Sequence, residues 1–169
     1  MADGLYDTAQ TLLDCVCDAL SAAGRPVCKC YRSFATPFIR SCCECDTDGT
    51  NGELSVHFRR MFDADASSLI EVQRVRPCKG GVVAAQFRLV LARCAPVLDE
   101  RGELPPVEDL EDTAEGQMMD LEMFWTALTC CTGLELRVDD VSTDPIPTGG
   151  CSLVFADVTV AVRPAGVPE

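Results

Sequence analysis

The sequence has little positive charge and no long apolar run, and each shortage excludes a class of function. No apolar stretch approaches the roughly 20 residues that a membrane-spanning helix needs, so we expect no membrane partner. The 14 Lys and Arg residues are outnumbered by 27 Asp and Glu residues, which gives a net charge of −13. Because phosphate binding needs clustered basic residues, we expect no direct binding of nucleic acid.

The chain also lacks the motifs of common catalytic sites. It contains no Gly-x-Ser-x-Gly, no Gly-rich phosphate loop ending in Lys-Ser or Lys-Thr, and no His-Glu-x-x-His. The only histidine, His57, lies beside Arg59 and Arg60 in a strand-like segment, where a solvent or interface face is expected. A Cys–His pair stays open, because 12 cysteines offer many chances of proximity. We predict a protein that is not an enzyme and uses no cofactor.

Cysteine, by contrast, is abundant. Cys15, Cys94 and Cys130 lie inside periodic segments and are predicted to be small buried apolar side chains. Five more thiols lie within residues 28–45, and three states stay open for them: zinc thiolates, disulfides formed after release from the cell, or free thiols. If zinc binds, its candidate ligands are Cys28, Cys30, Cys42 and Cys45. The acidic start of the chain is unlike a secretion signal, so we expect folding in a cytoplasm.

Hydrophobic periodicity predicts two helices. Residues 3–23 carry apolar side chains at spacings of three and four, with Asp3 as N-cap and Gly24 as the C-terminal stop. Residues 106–129 show the clearest helical period in the chain, and Pro106 suits the first helical position. The predicted apolar stripe of this second helix comprises Val107, Leu110, Ala114, Met118, Leu121, Trp125 and Leu128.

Alternating patterns predict four strands, at 53–62, 82–95, 134–141 and 151–163. In the first, Leu54, Val56, Phe58 and Phe62 are expected on one face, opposite Ser55, His57, Arg59 and Met61. Residues 24–52 and 63–81 are interpreted as loops, with short strands possible near 28–31 and 69–75. The sequence thus predicts an α+β two-layer domain over residues 1–163 and a loose tail at 164–169. Its four-stranded mixed sheet would carry both helices on one face, in the order α-β-β-α-β-β, and expose polar groups such as His57, Arg59, Arg88 and Arg137 on the other.

Three segments go beyond periodicity. Residues 90–106 read Val-Leu-Ala-Arg-Cys-Ala-Pro-Val-Leu-Asp-Glu-Arg-Gly-Glu-Leu-Pro-Pro, which is a strand, Arg-Cys-x-Pro, a Leu-Asp-acid-x-Gly turn and a Pro-rich helix start. Residues 17–28 read Cys-Asp-Ala-Leu-Ser-Ala-Ala-Gly-Arg-Pro-Val-Cys, and Gly149-Gly150-Cys151 precedes a Val-rich last strand. Together they resemble the small neck proteins of long-tailed phages of actinobacteria, which are usually assigned as tail terminators.

This resemblance implies a small sheet with helices packed on it and a hexameric ring on the head-proximal end of the tail tube. Such a ring ends tube polymerisation and provides the surface that joins the head. The implied partners are copies of this chain, the tail tube protein and a head-side stopper or adaptor, in a virion assembled in the host cytoplasm. The alternatives are another neck protein, such as an adaptor or stopper, and a metal-stabilised cysteine-rich module that binds other proteins.

The uneven charge distribution predicts where such subunits would meet. Residues 25–94 carry 11 basic and 7 acidic side chains, whereas residues 95–169 carry 3 basic and 16 acidic ones. Opposite charges help a head-to-tail interface choose its register. The candidate contacts are Arg59, Arg60, Arg74 and Arg76 against Glu108, Asp109, Glu111 and Asp112. The alternative is that these charges only face water.

Overall fold

Two helices and one mixed sheet make up the described part of the chain. The structure is a computed structural model that describes residues 2–33, 42–43, 52–72, 82–143 and 150–163. The elements are β1 (Ala2–Asp3), α1 (Leu5–Ala22), β2 (Lys29–Ser33), β3 (Glu53–Ala64), β4 (Val82–Cys94), α2 (Val107–Thr129), β5 (Leu136–Thr143) and β6 (Cys151–Arg163). The α+β class is therefore confirmed. The predicted tail at 164–169 lies outside the described residues.

The strand count and the order differ from the prediction. The strand order in the sheet is β1-β6-β4-β3-β2. The two-residue β1 and the longer β5 both pair with β6, on the edge of β6 that faces away from β4, so the six strands form a sheet that is five strands wide. The additional full-width strand is β2, which adds to β3 in parallel while the long pairs β3–β4 and β4–β6 are antiparallel. β2 lies where the sequence indicates a possible short strand near 28–31, but at five residues it is too short to be counted among the strands of the predicted sheet. Of the strand proposed near 69–75, the described part holds one isolated bridge, Ala64 to Glu71.

Helix α1 ends where the sequence predicts, for an identifiable reason. Gly24 adopts φ +73°, the left-handed conformation that a residue with a Cβ rarely takes. The Arg25 amide then donates to the Leu20 carbonyl at 2.9 Å, and the Gly24 amide donates to the Ser21 carbonyl at 3.0 Å. These two bonds form the Schellman motif, which satisfies carbonyls that the helix end leaves unpaired. At the other end the predicted N-cap is wrong, because Asp3 belongs to β1 and Gly4 is the cap.

A β-bulge divides the long strand β3 into two halves. The alternation of side chains between the two sheet faces reverses at the bulge. Phe58 pairs with Phe87 and Arg60 pairs with Gln86, so Arg59 is the extra residue. Beyond the bulge the alternation reverses, since a shift of one residue moves every side chain to the other face. Phe62 therefore lies on the face of Arg60, whereas the simple alternation placed it with Leu54.

Both helices pack against one sheet face and form one core with it. Leu12, Val16 and Leu20 of α1 and Phe124 of α2 are fully buried against Phe87 and its neighbours. Helix α1 lies mainly over β2 and β3, and α2 lies over β5 and β6. Burial of each such side chain stabilises the fold by about 2 to 3 kcal/mol. The two-layer arrangement is as predicted, and it leaves one flank of α2 at the margin of the molecule.

The opposite sheet face is more enclosed than expected. Ser55 and His57, predicted to face solvent or an interface, are only 4% and 2% exposed. The Ser55 hydroxyl and His57 Nε2 are 2.8 Å apart, within hydrogen-bond distance. Arg88 is partly buried on the same face, where its Nε donates to Asp157 at 2.8 Å. The hydrogen bonds to Asp157 raise the pKa of Arg88 above its ordinary value, although burial opposes this.

Four disulfides join distant parts of the described chain, and they overturn the prediction of buried thiols. Cys15 bonds Cys131 and Cys94 bonds Cys43, while Cys130 is a free and exposed thiol. The remaining two disulfides are Cys17–Cys30 and Cys42–Cys151, and Cys28 is disulfide-bonded as well. The pairing follows spatial proximity, which sequence spacing does not reveal. Three of the four bonds link residues 51 or more positions apart.

Candidate subunit interface

The predicted apolar stripe of α2 is largely exposed. The exposed fractions of Val107, Met118 and Trp125 are 67%, 58% and 53%, and that of Leu110 is 43%. Near the C-terminal end of the helix the stripe meets the core, because Leu128 is buried. The expectation that this stripe packs on the sheet is therefore wrong for most of its length. We call the exposed residues Val107, Leu110, Ala114, Met118 and Trp125 the α2 stripe.

Helix α2 instead buries a neighbouring face. Its buried residues are Asp120, Phe124, Ala127 and Leu128, which lie roughly a third of a turn around the helix from the α2 stripe. Gly116 lies on this inner side, where a Cβ would come within 3.2 Å of the Arg25 guanidinium. The absence of a side chain at Gly116 thus lets Arg25 pass beneath the helix.

A buried ionic cluster fixes the orientation of α2. The Asp120 side chain, 3% exposed, accepts two hydrogen bonds from Arg25 at 2.8 and 3.0 Å. It accepts two more from Arg93 of β4 at 2.7 and 3.2 Å, and Arg93 also donates to the Arg25 carbonyl at 2.7 Å. The hydrogen bonds to Asp120, reinforced by its charge, raise the pKa of Arg25 above its ordinary value, although burial lowers it. Sequence patterns gave no sign of this triad of Arg25, Asp120 and Arg93, because an Asp within a helical period is most simply interpreted as a solvated residue.

The triad joins segments that the family resemblance singled out. Arg25 belongs to the Gly-Arg-Pro that follows α1, and Arg93 belongs to the Arg-Cys-x-Pro that ends β4. Cys151, from the third segment, pairs across the sheet with Cys94. The three segments thus lie together at one corner of the fold, where they hold α1, α2 and the ends of β4 and β6 in place.

The first two turns of α2 carry four acidic side chains. Glu108, Asp109, Glu111 and Asp112 are all exposed, as an interface or a solvated face requires. The loop before the helix adds exposed apolar side chains at Val97, Leu98 and Leu104, with exposed fractions of 61%, 55% and 78%. Exposed apolar side chains on a helix and on the loop before it make this part of the molecule a candidate interaction surface.

Trp125 stands between two shallow grooves. One, of about 470 Å³, lies between α2 and β5 and is lined by Leu121, Trp125 and Val141 among others. The second, of about 290 Å³, adjoins Leu134 and Leu136. A half-exposed indole beside apolar grooves is the type of residue that anchors protein interfaces.

The two basic candidates that the structure describes, Arg59 and Arg60, lie on β3. Arg59 is exposed at the bulge of β3, and Arg60 is exposed and forms an ion pair with Glu71 at 2.8 Å. Arg74 and Arg76 lie outside the described residues. Since α2 packs over β5 and β6, β3 is separated from it by β4 and β6 in the sheet. Within the described ranges, no ion pair joins Arg59 or Arg60 to the four acidic candidates of α2.

Three of the four candidate zinc ligands, Cys28, Cys30 and Cys42, lie in the described part of the chain, and all three are disulfide-bonded. Cys30 is bonded to Cys17 and Cys42 to Cys151, which places these two sulfurs in different disulfides. Cys28 is disulfide-bonded as well, and Cys45 lies outside the described residues. A disulfide sulfur has no thiolate lone pair to offer a metal. The buried Ser55–His57 pair was also not predicted, although its spacing of two residues on a strand places both side chains on one face.

None of the helices in the described part of the chain is both long enough and apolar enough to cross a membrane. No protein-family model matches the sequence, and no curated protein matches it.

Proposed function

We propose that this chain is a structural subunit of a phage tail: a tail terminator that forms a ring on the head-proximal end of the tail tube. The ring would end tube polymerisation and present a joining surface to a head-side stopper or adaptor. The exposed α2 stripe, with Trp125 at 53% exposure, is the observation that carries the assembly role. The sequence resemblance of the segments at 17–28, 90–106 and 149–151 carries the assignment to a phage neck.

The occupant proposed for the α2 stripe is the next copy of the chain. The first two turns of α2 expose the acidic group Glu108, Asp109, Glu111 and Asp112, whereas Arg59 and Arg60 are exposed on β3. Unlike patches on different parts of one subunit favour a head-to-tail interface, which closes into a ring when the rotation between copies is suitable. Complementary charge at the rim would set the register, and Trp125 would supply a buried anchor.

Helix α2 is large enough for this role. Its 23 residues extend about 35 Å, comparable to the width of a standard interface that buries about 800 Å² on each partner. Six-fold order and the location in the virion neck follow from the resemblance rather than from the geometry of one subunit. They are part of the same proposal and are tested with it.

Oligomer formation is the first test. Light scattering and negative-stain imaging of the purified protein over a range of concentrations should give hexameric rings, which should cap tail tubes assembled from the tube protein. Trp125→Ala should weaken the ring by at least about thirtyfold, as expected when a central interface anchor worth about 2 kcal/mol is truncated. Tyr6→Ala is the matched control, because Tyr6 is an aromatic residue of α1 that is similarly exposed at 58% and belongs to neither proposed contact group.

Charge reversal tests the orientation. Arg59→Glu with Arg60→Glu should weaken the ring, and adding Glu108→Lys with Glu111→Lys should restore part of the loss. Rings that survive the arginine reversal unchanged would rule out this face as the neighbour of α2. Rings that bind head-side neck proteins but do not bind tail tubes would instead favour an adaptor or stopper. A monomer that binds another protein through a metal-loaded cysteine site would favour the cysteine-rich module.

A further inference from the structure

Four cysteines meet at one corner of the sheet. Cys94 and Cys151 lie directly opposite each other on the antiparallel strands β4 and β6. The adjacent residues Cys42 and Cys43 lie over this pair, Cys42 bonded to Cys151 and Cys43 to Cys94, with Cα–Cα distances of 5.9 and 4.8 Å. The sulfur atoms of Cys42 and Cys43, which are not bonded to each other, are 3.7 Å apart.

That spacing matches a tetrahedral metal site. Zinc binds thiolates at about 2.3 Å, which places the sulfurs of a tetrahedral site about 3.8 Å apart. We propose that, in the thiol form of the chain, Cys42, Cys43, Cys94 and Cys151 bind one Zn²⁺ as a tetrathiolate site. The two sulfur pairs now joined as disulfides would have to separate by under about 2 Å, a distance within the reach of side-chain rotation at four cysteines on fixed backbones.

The surroundings of the corner suit a structural metal. Cys42 and Cys151 are 1% and 5% exposed, and they pack with Ala92, Leu153 and Phe155. Cys43 and Cys94 are exposed, which gives an incoming ion a path to the site. The Gly150 carbonyl lies 3.5 Å from the Cys42 sulfur and 3.7 Å from the Cys43 sulfur. In the thiol form this carbonyl can accept their S–H groups and hold the dipeptide in place before a metal arrives.

Reduction of the two disulfides and binding of Zn²⁺ can be written as balanced reactions. Each disulfide takes up two electrons and two protons from a dithiol reductant, which is itself oxidised to a disulfide, and the corner then holds four thiols. Binding of Zn²⁺ displaces the four thiol protons. In the disulfide form, no group of three or more His, Cys, Asp or Glu side chains among the described residues is positioned to hold a metal. Reducing compartments would therefore favour the zinc form, and oxidising ones the disulfide form.

This site differs from the one that sequence spacing indicated. Only Cys42 belongs to both sets. Cys43 was not among the four candidates, and Cys94 and Cys151 come from strands that are 51 and 109 positions along the chain from their disulfide partners. The inference does not depend on the proposed ring. A monomeric protein with this zinc site would leave the inference intact, and a ring that binds no zinc after its disulfides are reduced would overturn it.

The test uses the whole chain with metal ions alone. The protein is reduced with a phosphine under anaerobic conditions, and the phosphine is then removed. The reduced protein is titrated with Co²⁺ and then with Zn²⁺. The expected result is the visible spectrum of tetrahedral tetrathiolate Co²⁺, saturating at one ion per chain and displaced by Zn²⁺. Alkylation of the zinc-loaded wild type followed by peptide mapping should show protection of residues 42, 43, 94 and 151. This mapping needs no variant and so does not depend on how a variant folds.

Two double variants complete the test. Cys94→Ser with Cys151→Ser should weaken Co²⁺ binding by more than about a hundredfold, since loss of two ligands should exceed the effect of losing an outer-sphere contact. Cys15→Ser with Cys131→Ser is the control, because it removes one disulfide elsewhere, and it should bind Co²⁺ as the wild type does. Absence of stoichiometric Co²⁺ binding, or protection of Cys28 and Cys30 in place of this corner, would overturn the proposal.

Discussion

Replacing Asp120 by Asn should be among the most damaging single substitutions in this fold. The change keeps the shape of the side chain but leaves the guanidinium groups of Arg25 and Arg93 without their shared counter-charge. Breaking a buried ion pair costs about 3 to 5 kcal/mol. The side chains of Arg25 and Arg93 are 26% and 12% exposed, so water compensates in part, and we expect a loss of about 3 kcal/mol.

The measurement is equilibrium unfolding in urea, followed by the fluorescence of Trp125, the only tryptophan and a residue of α2. With a slope of about 2 kcal/mol per molar urea, the midpoint should fall by about 1.5 M. Asp157→Asn is the matched control, because Asp157 pairs with Arg88 in a more exposed setting, at 19% and 32% exposure. Its midpoint should fall by about 0.5 M or less. Equal shifts in the two variants would refute the role assigned to the triad.

Three further outcomes are expected. Phe124→Ala should lower the free energy of unfolding by about 3 to 5 kcal/mol in the same urea assay, because the ring is fully buried. The hydroxyl of Ser67, with that of Ser68, lowers the pKa of Asp65, so this loop is stabilised above the unfolded pKa and loses that stability as the pH falls through the folded pKa. Ser67→Ala should therefore raise the pKa of Asp65 toward 3.8 in an NMR titration, and an unchanged value would contradict the hydrogen bond. Removing the Cys15–Cys131 disulfide with a double Ser variant should cost up to about 5 kcal/mol in the chain-entropy estimate, measured by thermal unfolding of the oxidised protein.

Sequence patterns located most helices and strands of this fold, but they did not predict which side of helix α2 packs on the sheet. The alternating segments led to β3, β4, β5 and β6, because period-two patterns report burial of one strand face directly. The helical period of residues 106–129 was equally clear, yet its stripe faces outward. An apolar stripe indicates only that a face is to be covered, whether by the same chain or by another. The side of α2 that turns inward carries Asp120 and Phe124, which lie outside the stripe.

Non-local features were beyond reach for a related reason. The parallel pairing of β2 with β3 could not be predicted, although the sequence indicates a short strand near its position, and the disulfides of Cys94 and Cys151 follow the sheet register that places these two residues opposite each other. Neither depends on local sequence spacing. The bulge at Arg59 also needed the partner strand, since only its pairing shows which residue is extra.

The end of β4 has a mechanical consequence for the molecule. Arg93 and Cys94 are neighbours in a strand, so they point to opposite sheet faces. Arg93 holds the inner side of α2 through Asp120, and Cys94 belongs to the sulfur corner on the other face. A single peptide group is thus the joint between them. A change in the backbone at Cys94 would therefore also change the position of Arg93 beneath α2, which couples the helix to the four cysteines on the opposite sheet face.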